Sequence, residues 1–202
     1  LAVQKNNNEL VPKIERTPYL HDFLYSIKTI ISRTFFGIKF DIAYYPKENV
    51  VFRIVPKTAN SYINLAFLQT NNPHSALNKI HHNVHKTTQK YLIPKAQLQS
   101  LNNPYIFTFI RNPFERVVSG YKNKICEENH SILHNSFGMF KKNMSFDLFV
   151  KRLVRIPQRL TDIHFISQYT LLDGGKDIDF LGRYEHFEKD CAKLSNKFNV
   201  VF

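Results

Sequence analysis

Val50-Val51-Phe52-Arg53-Ile54-Val55-Pro56-Lys57-Thr58-Ala59-Asn60-Ser61 and Ile106-Phe107-Thr108-Phe109-Ile110-Arg111-Asn112-Pro113-Phe114-Glu115-Arg116-Val117-Val118-Ser119 share one pattern. Each is an apolar, β-prone run, then a short polar turn, then the opening of a helix. Strands buried on both faces of a parallel or mixed sheet are apolar almost throughout. A strand–loop–helix arrangement aims backbone N–H groups at an anion. The first loop carries Lys57, Thr58 and Ser61, and the second carries Arg111 and, two turns later, Ser119. Two anion sites on neighbouring strand ends suit a ligand with phosphates at both ends of a nucleoside.

Outward from these stretches, strands and helices alternate. Residues 38–45 alternate well enough for a strand, and Pro46 to Asn49 is a turn into the first motif strand. The first motif helix covers 61–69, with Ile63, Ala66 and Phe67 toward the core. Residues 70–104 form a long polar connection with some helix over 95–101, and such a length inside a domain points to function. In the second motif Asn112 caps a helix, Pro113 suits its first turn and Glu115 completes a capping-box pattern. Its core stripe is Phe114, Val117 or Val118, Tyr121 and Ile125. Further helices are expected over 146–153, 161–172 and 187–198, with a short strand over 178–181. Upstream, residues 18–34 repeat apolar positions at helical spacing, and residues 1–17 read as a flexible lead-in. The expectation is an α/β layered fold, one domain over 18–202.

Lys plus Arg outnumber Asp plus Glu by 28 to 16, a formal charge of +12. That balance favours nucleic acid, anionic lipid, acidic glycans or nucleotides as partners without choosing among them. Cys126 and Cys191 are the only cysteines, and both one bridge and two free thiols stay open. Residues 1–12 are polar, unlike a signal peptide. Charged residues break the apolar stretch 19–40, so no membrane span is expected in this chain.

The first loop has no glycine, yet it keeps a lysine, two hydroxyls and a helix start. Lys57 can reach the bridging oxygen of a phosphate-linked leaving group, with Thr58 and Ser61 as donors. An ordinary capped turn with an exposed lysine fits the loop alone equally well. Arg111, placed at a helix start, suits bidentate phosphate binding. Arg116 reads as a solvent-facing partner of Glu115. Between the motifs stand His74, His81, His82 and His85. No cysteine is near them and no carboxylate occurs over 71–105, so no metal site is expected.

Here the residues resemble a known family. Val55 to Ser61 resembles the 5′-phosphosulfate loop of the carbohydrate sulfotransferases, PKTxxT/S. Phe107 to Lys124 resembles their 3′-phosphate motif, RxPFERxxSxYxxK. His164 to Tyr169 is similar to their HWxPQY segment, with Phe165 and Ser167 replacing Trp and Pro, and Asp179 to Glu185 is similar to DFIGRxE. The likeness spans roughly 40–195 and is nearest to the chondroitin and HNK-1 type enzymes and their bacterial relatives.

The resemblance implies a P-loop-like three-layer fold with a central, mainly parallel sheet flanked by helices. It implies 3′-phosphoadenosine 5′-phosphosulfate (PAPS) as donor, a carbohydrate hydroxyl as acceptor and no metal. Lys57, Thr58, Ala59, Asn60 and Ser61 would hold the reacting end, and Arg111 and Ser119 the 3′-phosphate. Lys57 would also act on the leaving group. A histidine would be the base: His85 first, because Val84-His85 matches a family VH pair, and His82 second. His164 is a separate candidate for the active-site wall or an acceptor contact. A basic cleft favours an acidic glycan. The family includes Golgi membrane enzymes and soluble bacterial ones, so compartment and oligomeric state stay open. Residues 172–175 replace a cysteine pair common in the eukaryotic branch. The chain also stops short of a C-terminal segment that often covers PAPS, as in a minimal or a shortened member.

Two other classes compete with this reading. A kinase-like phosphotransferase wants Mg²⁺ ligands and a Walker-type loop, and neither is evident. A basic nucleic-acid- or glycan-binding module fits the charge, but no nucleic-acid-binding fingerprint occurs.

Overall fold

The two apolar runs become the central strands of a four-stranded sheet. The structure, a computed structural model, describes residues 27–28, 41–71, 83–127 and 139–202. The strands are β1 (Ile42–Tyr45), β2 (Val50–Arg53), β3 (Tyr105–Ile110) and β4 (Phe180–Arg183), side by side in that order. β1 and β2 form a hairpin, and Asn49 adopts φ 50 at its turn. β2, β3 and β4 run parallel, with Val51 opposite Ile106 and Thr108 opposite Leu181.

Helices flank the sheet: α1 (Asn60–Asn71), α2 (Val84–Thr88), α3 (Lys95–Leu98), α4 (Pro113–Tyr121), α5 (Phe146–Leu153), α6 (Gln168–Leu171) and α7 (Phe187–Phe198). One core cluster packs Phe52, Phe107 and Phe109 of the sheet against Ile63 and Phe67 of α1 and Leu194 of α7. The Phe52 and Phe107 rings, paired across β2 and β3, stack at 4.9 Å. Separate clusters gather Val51 and Ile106 with Leu98, and Val55 with Ile166 and Leu171. Successive residues of β2 are buried in different clusters, Val50 and Phe52 in the first and Val51 in another, which is why its sequence is apolar rather than alternating. Each fully buried Phe stabilises the fold by about 1.5–3 kcal/mol.

The parallel pairing sets the site. Parallel β2 and β3 end on the same edge of the sheet, and each opens there into a helix, α1 and α4. The two motif loops are neighbours because their strands are.

Several expectations need correction. The helix expected over 161–172 is present only as α6. Before it, the Asp162 side chain accepts from the His164 N–H at 2.9 Å, and the carbonyls of Ile163 and Ile166 accept from Arg116. Those groups are therefore unavailable to a helical ladder. Phe114 is 81% exposed. It sits in the first turn of α4 on the solvent side, whereas Val117, Tyr121 and Ile125 meet Phe149 and Phe165 in a separate cluster. Arg116 is buried, not solvent-facing. Glu115 does not close a capping box, because the Asn112 N–H donates to Glu185 instead. Cys126 and Cys191 are both free thiols. Of the helix expected over 18–34, only Ile27 and Lys28 are among the described residues, and both are helical. Residues 1–17 lie outside them.

Candidate active site

Leaving β2, the chain must turn sharply into α1, and it does so without glycine. Lys57 and Ala59 adopt left-handed backbone, φ 71 and φ 65. That conformation costs a non-glycine residue about 1–2 kcal/mol, and such strain clusters at ligand-gripping loops. Backbone of this kind folds successive N–H groups into an anion-binding concavity, and here it runs into the positive end of α1. Thr58 braces the loop from behind: its buried hydroxyl lies 2.8 Å from the Val55 carbonyl oxygen and 3.0 Å from Asn60 Oδ1. Thr58 is fully buried and is not among the residues that line the cleft, so its part is to hold the shape of the loop. Ser61, in the first turn of α1, is exposed, and its Oγ lies 3.3 Å from His85 Nε2 on α2.

The neighbouring corner is held by side chains. Gln168, at the start of α6, grips the Arg111 backbone twice. Its Oε1 accepts from the Arg111 N–H at 2.9 Å, and its Nε2 donates to the Arg111 carbonyl at 2.7 Å. The Arg111 guanidinium lies 4.1 Å over the Tyr184 ring, a cation–π stack. Its Nη1 and Nη2 make only long contacts, 3.5 Å each, to the Lys57 carbonyl and to Glu115. Its Nε is buried with no hydrogen-bond partner. A guanidinium carries five N–H donors in a planar fork, so this one keeps ample capacity for a bidentate anion. Asn112 caps α4, accepting from the N–H groups of Phe114 at 3.0 Å and Glu115 at 3.4 Å. The Asn112 N–H in turn holds the Glu185 carboxyl below its ordinary range. Ser119 lies two turns along α4, and past Tyr121 the helix widens into a π turn over Lys122–Glu127.

One buried guanidinium ties the two corners together. Arg116 Nε donates to the Pro56 carbonyl at 2.9 Å, Nη1 to Ile166 at 2.9 Å and Nη2 to Ile163 at 3.4 Å. Burial lowers its pKa to about 10, which leaves it cationic at neutral pH.

Lys57, Ala59, Asn60 and Ser61 from the first corner, Arg111 and Ser119 from the second, and His85 line a single cleft of about 610 Å³. That volume is in the range of small-molecule sites. His164 lines it too. His82, with His74 and His81, lies outside the described residues. Gln168, Tyr184 and Asp162 were not singled out from sequence, and Arg116 was read there only as a solvent-facing partner of Glu115. Gln168 and Tyr184 fall inside the family-like segments, but nothing in those segments says that they clamp and stack on Arg111. Among the described residues no three His, Cys, Asp or Glu side chains gather as metal ligands, and no described helix is long and apolar enough to cross a membrane.

The fold is that of an α/β protein: a mainly parallel, four-stranded sheet whose neighbouring strand ends carry a lysine loop and an arginine corner on one edge. The family model described as "Sulfotransferase family" matches residues 40–201, and the chain belongs to that family. It is similar to carbohydrate sulfotransferase 11 of Rattus norvegicus and of Mus musculus, 38% identical over 53 residues in each case. The match covers 26% of this chain and 15% of either relative. No solved structure matches it.

Proposed function

We propose that this protein transfers a sulfuryl group from PAPS to a hydroxyl of a carbohydrate acceptor. The observation that carries the reading is the convergence of Lys57, Ala59, Asn60 and Ser61 with Arg111, Ser119 and His85 on one cleft. In this reading the Lys57–Ser61 loop takes the part of a P-loop and holds the 5′-phosphosulfate, while Arg111 and Ser119 hold the 3′-phosphate. The unpartnered Arg111 Nε and the loop's left-handed residues fit two anionic groups.

The acceptor oxygen attacks sulfur in line, and the bond from sulfur to the phosphate oxygen breaks. Adenosine 3′,5′-bisphosphate leaves with that electron pair. The Lys57 ammonium and the N–H groups of Ala59 to Ser61 stabilise the charge on the departing oxygen. The acceptor proton passes to a histidine, and His85 is the proposed base because it reaches Ser61 of the loop that holds the reacting end. His82 is the second choice. The basic side chains of the cleft favour an acidic glycan over a neutral one as the molecule that carries the acceptor hydroxyl.

Adenosine 3′,5′-bisphosphate should raise the melting temperature more than ATP with Mg²⁺, and labelled PAPS should modify at least one sugar in an acceptor screen. His85→Ala should lower kcat by about 10²–10⁴-fold and leave bisphosphate affinity nearly unchanged. Stabilisation by ATP with none by the bisphosphate would overturn the reading. Full turnover by His85→Ala would overturn the choice of base alone.

A further inference from the structure

Asp41, Asn123, Lys124 and His164 also line the cleft, and the donor reading uses none of them. Among these four, His164 is held from two directions. Its Nδ1 lies 2.6 Å from Asp162 Oδ1, and the same oxygen accepts the His164 backbone N–H at 2.9 Å. The Asp162 side chain is only 11% exposed. Burial by itself would raise the Asp162 pKa, but the hydrogen bonds and charge of His164 outweigh it and hold the carboxyl below its ordinary value. The backbone on both sides of His164 is anchored by Arg116, through the carbonyls of Ile163 and Ile166. Phe165 packs so closely on α4 that a Cβ at Gly120 would sit 2.6 Å from its ring.

With Nδ1 committed to Asp162, Nε2 is the ring atom left for a ligand. The charges around it decide which ligand. Asp162 bonds the ring directly, the Asp41 carboxylate interacts with it electrostatically, and Lys124 acts on Asp162. Two carboxylates against one ammonium disfavour a phosphate or another anion at this ring. A sugar hydroxyl, which can both donate and accept, carries no such penalty.

Resting on the sulfotransferase reading, we propose that His164 is an acceptor-binding residue whose imidazole hydrogen-bonds a hydroxyl of the sugar being sulfated, with Asp162 and Arg116 as its positioning residues. His164 thus serves the acceptor half of the cleft as Arg111 serves the donor half, and the group it recognises is a neutral hydroxyl.

The test is steady-state transfer from PAPS to the acceptor found by screening, with bisphosphate affinity measured by calorimetry on the same proteins. His164→Ala should raise the acceptor KM at least tenfold, change kcat by less than about threefold and leave bisphosphate affinity intact. His164→Gln, which keeps a polar atom near the Nε2 position, should recover part of the loss. Asp162→Asn should raise the acceptor KM by a smaller factor. An unchanged acceptor KM in His164→Ala overturns the proposal, and so does a loss of bisphosphate affinity in that variant. A wild type that binds no bisphosphate overturns the sulfotransferase reading itself, and this inference with it.

Discussion

The two corners of the cleft do the same kind of work with different materials. Around Lys57–Ser61 the geometry is written in the backbone: two left-handed residues, a buried threonine brace and a helix start. Around Arg111–Ser119 it is written in side chains: a glutamine clamping the main chain, a tyrosine under the guanidinium and an asparagine cap. A backbone-built corner tolerates side-chain change as long as the chain keeps its path. A side-chain-built corner depends on a few individual groups. The difference teaches that a strand-to-helix loop with left-handed residues needs no glycine when neighbouring contacts hold those residues in place.

The comparison breaks most severely at Arg116, a buried side chain that joins both corners. Arg116→Ala removes a buried cation and leaves the Pro56, Ile163 and Ile166 carbonyls without their donor. The expected loss is about 3–5 kcal/mol in urea denaturation, as for other buried charged networks. A loss below about 1 kcal/mol would mean that the corners stand independently.

Arg111→Ala probes the side-chain corner alone. It should weaken adenosine 3′,5′-bisphosphate by about 10–100-fold, the size of one or two charge-assisted hydrogen bonds. The ligand-free melting temperature should move little. Arg111→Lys should recover only part of the affinity, because an ammonium has neither the fork nor the flat face that meets Tyr184. Equal affinity in Arg111→Ala and wild type would remove the 3′-phosphate role from this residue.

The smallest effect is expected at the backbone corner. Ala59→Gly relieves left-handed strain but adds freedom to the unfolded chain and to the loop. Stability should stay within about 1 kcal/mol of wild type, and bisphosphate affinity should fall only about two- to threefold from lost preorganisation. A tenfold loss would show that the loop's shape depends on the Ala59 side chain and not on the path of the chain alone.

How much was legible varies by element, for physical reasons. Helix α7 was readable to its ends because its apolar stripe is local, and Asn199, in left-handed conformation, stops it where the pattern stops. The segment 161–172 was misread because its apolar residues repeat at helical spacing while its carbonyls are taken by Arg116, about fifty residues away in sequence. Arg116 itself was misread through its neighbour Glu115. An i, i+1 pair on a helix does not share a face, and the partners of this arginine come from two other segments. His85 was chosen on a two-residue pattern, and only the folded chain brings its ring to Ser61.

The sequence by itself determined the alternation of strands and helices, the two strand–loop–helix motifs and the family. These are carried by local periodicity, by residue types at loop positions and by short motifs. The tertiary structure decided which groups face one another: Ser61 with His85, Arg111 with Tyr184 and Gln168, Asp162 with His164, and Arg116 with three carbonyls from separate segments. Parallel β2 and β3 set both loops on one edge of the sheet, and that adjacency joins residues more than fifty positions apart. Contacts over such separations depend on sheet order and on where buried polar groups find partners, and no window of sequence contains either.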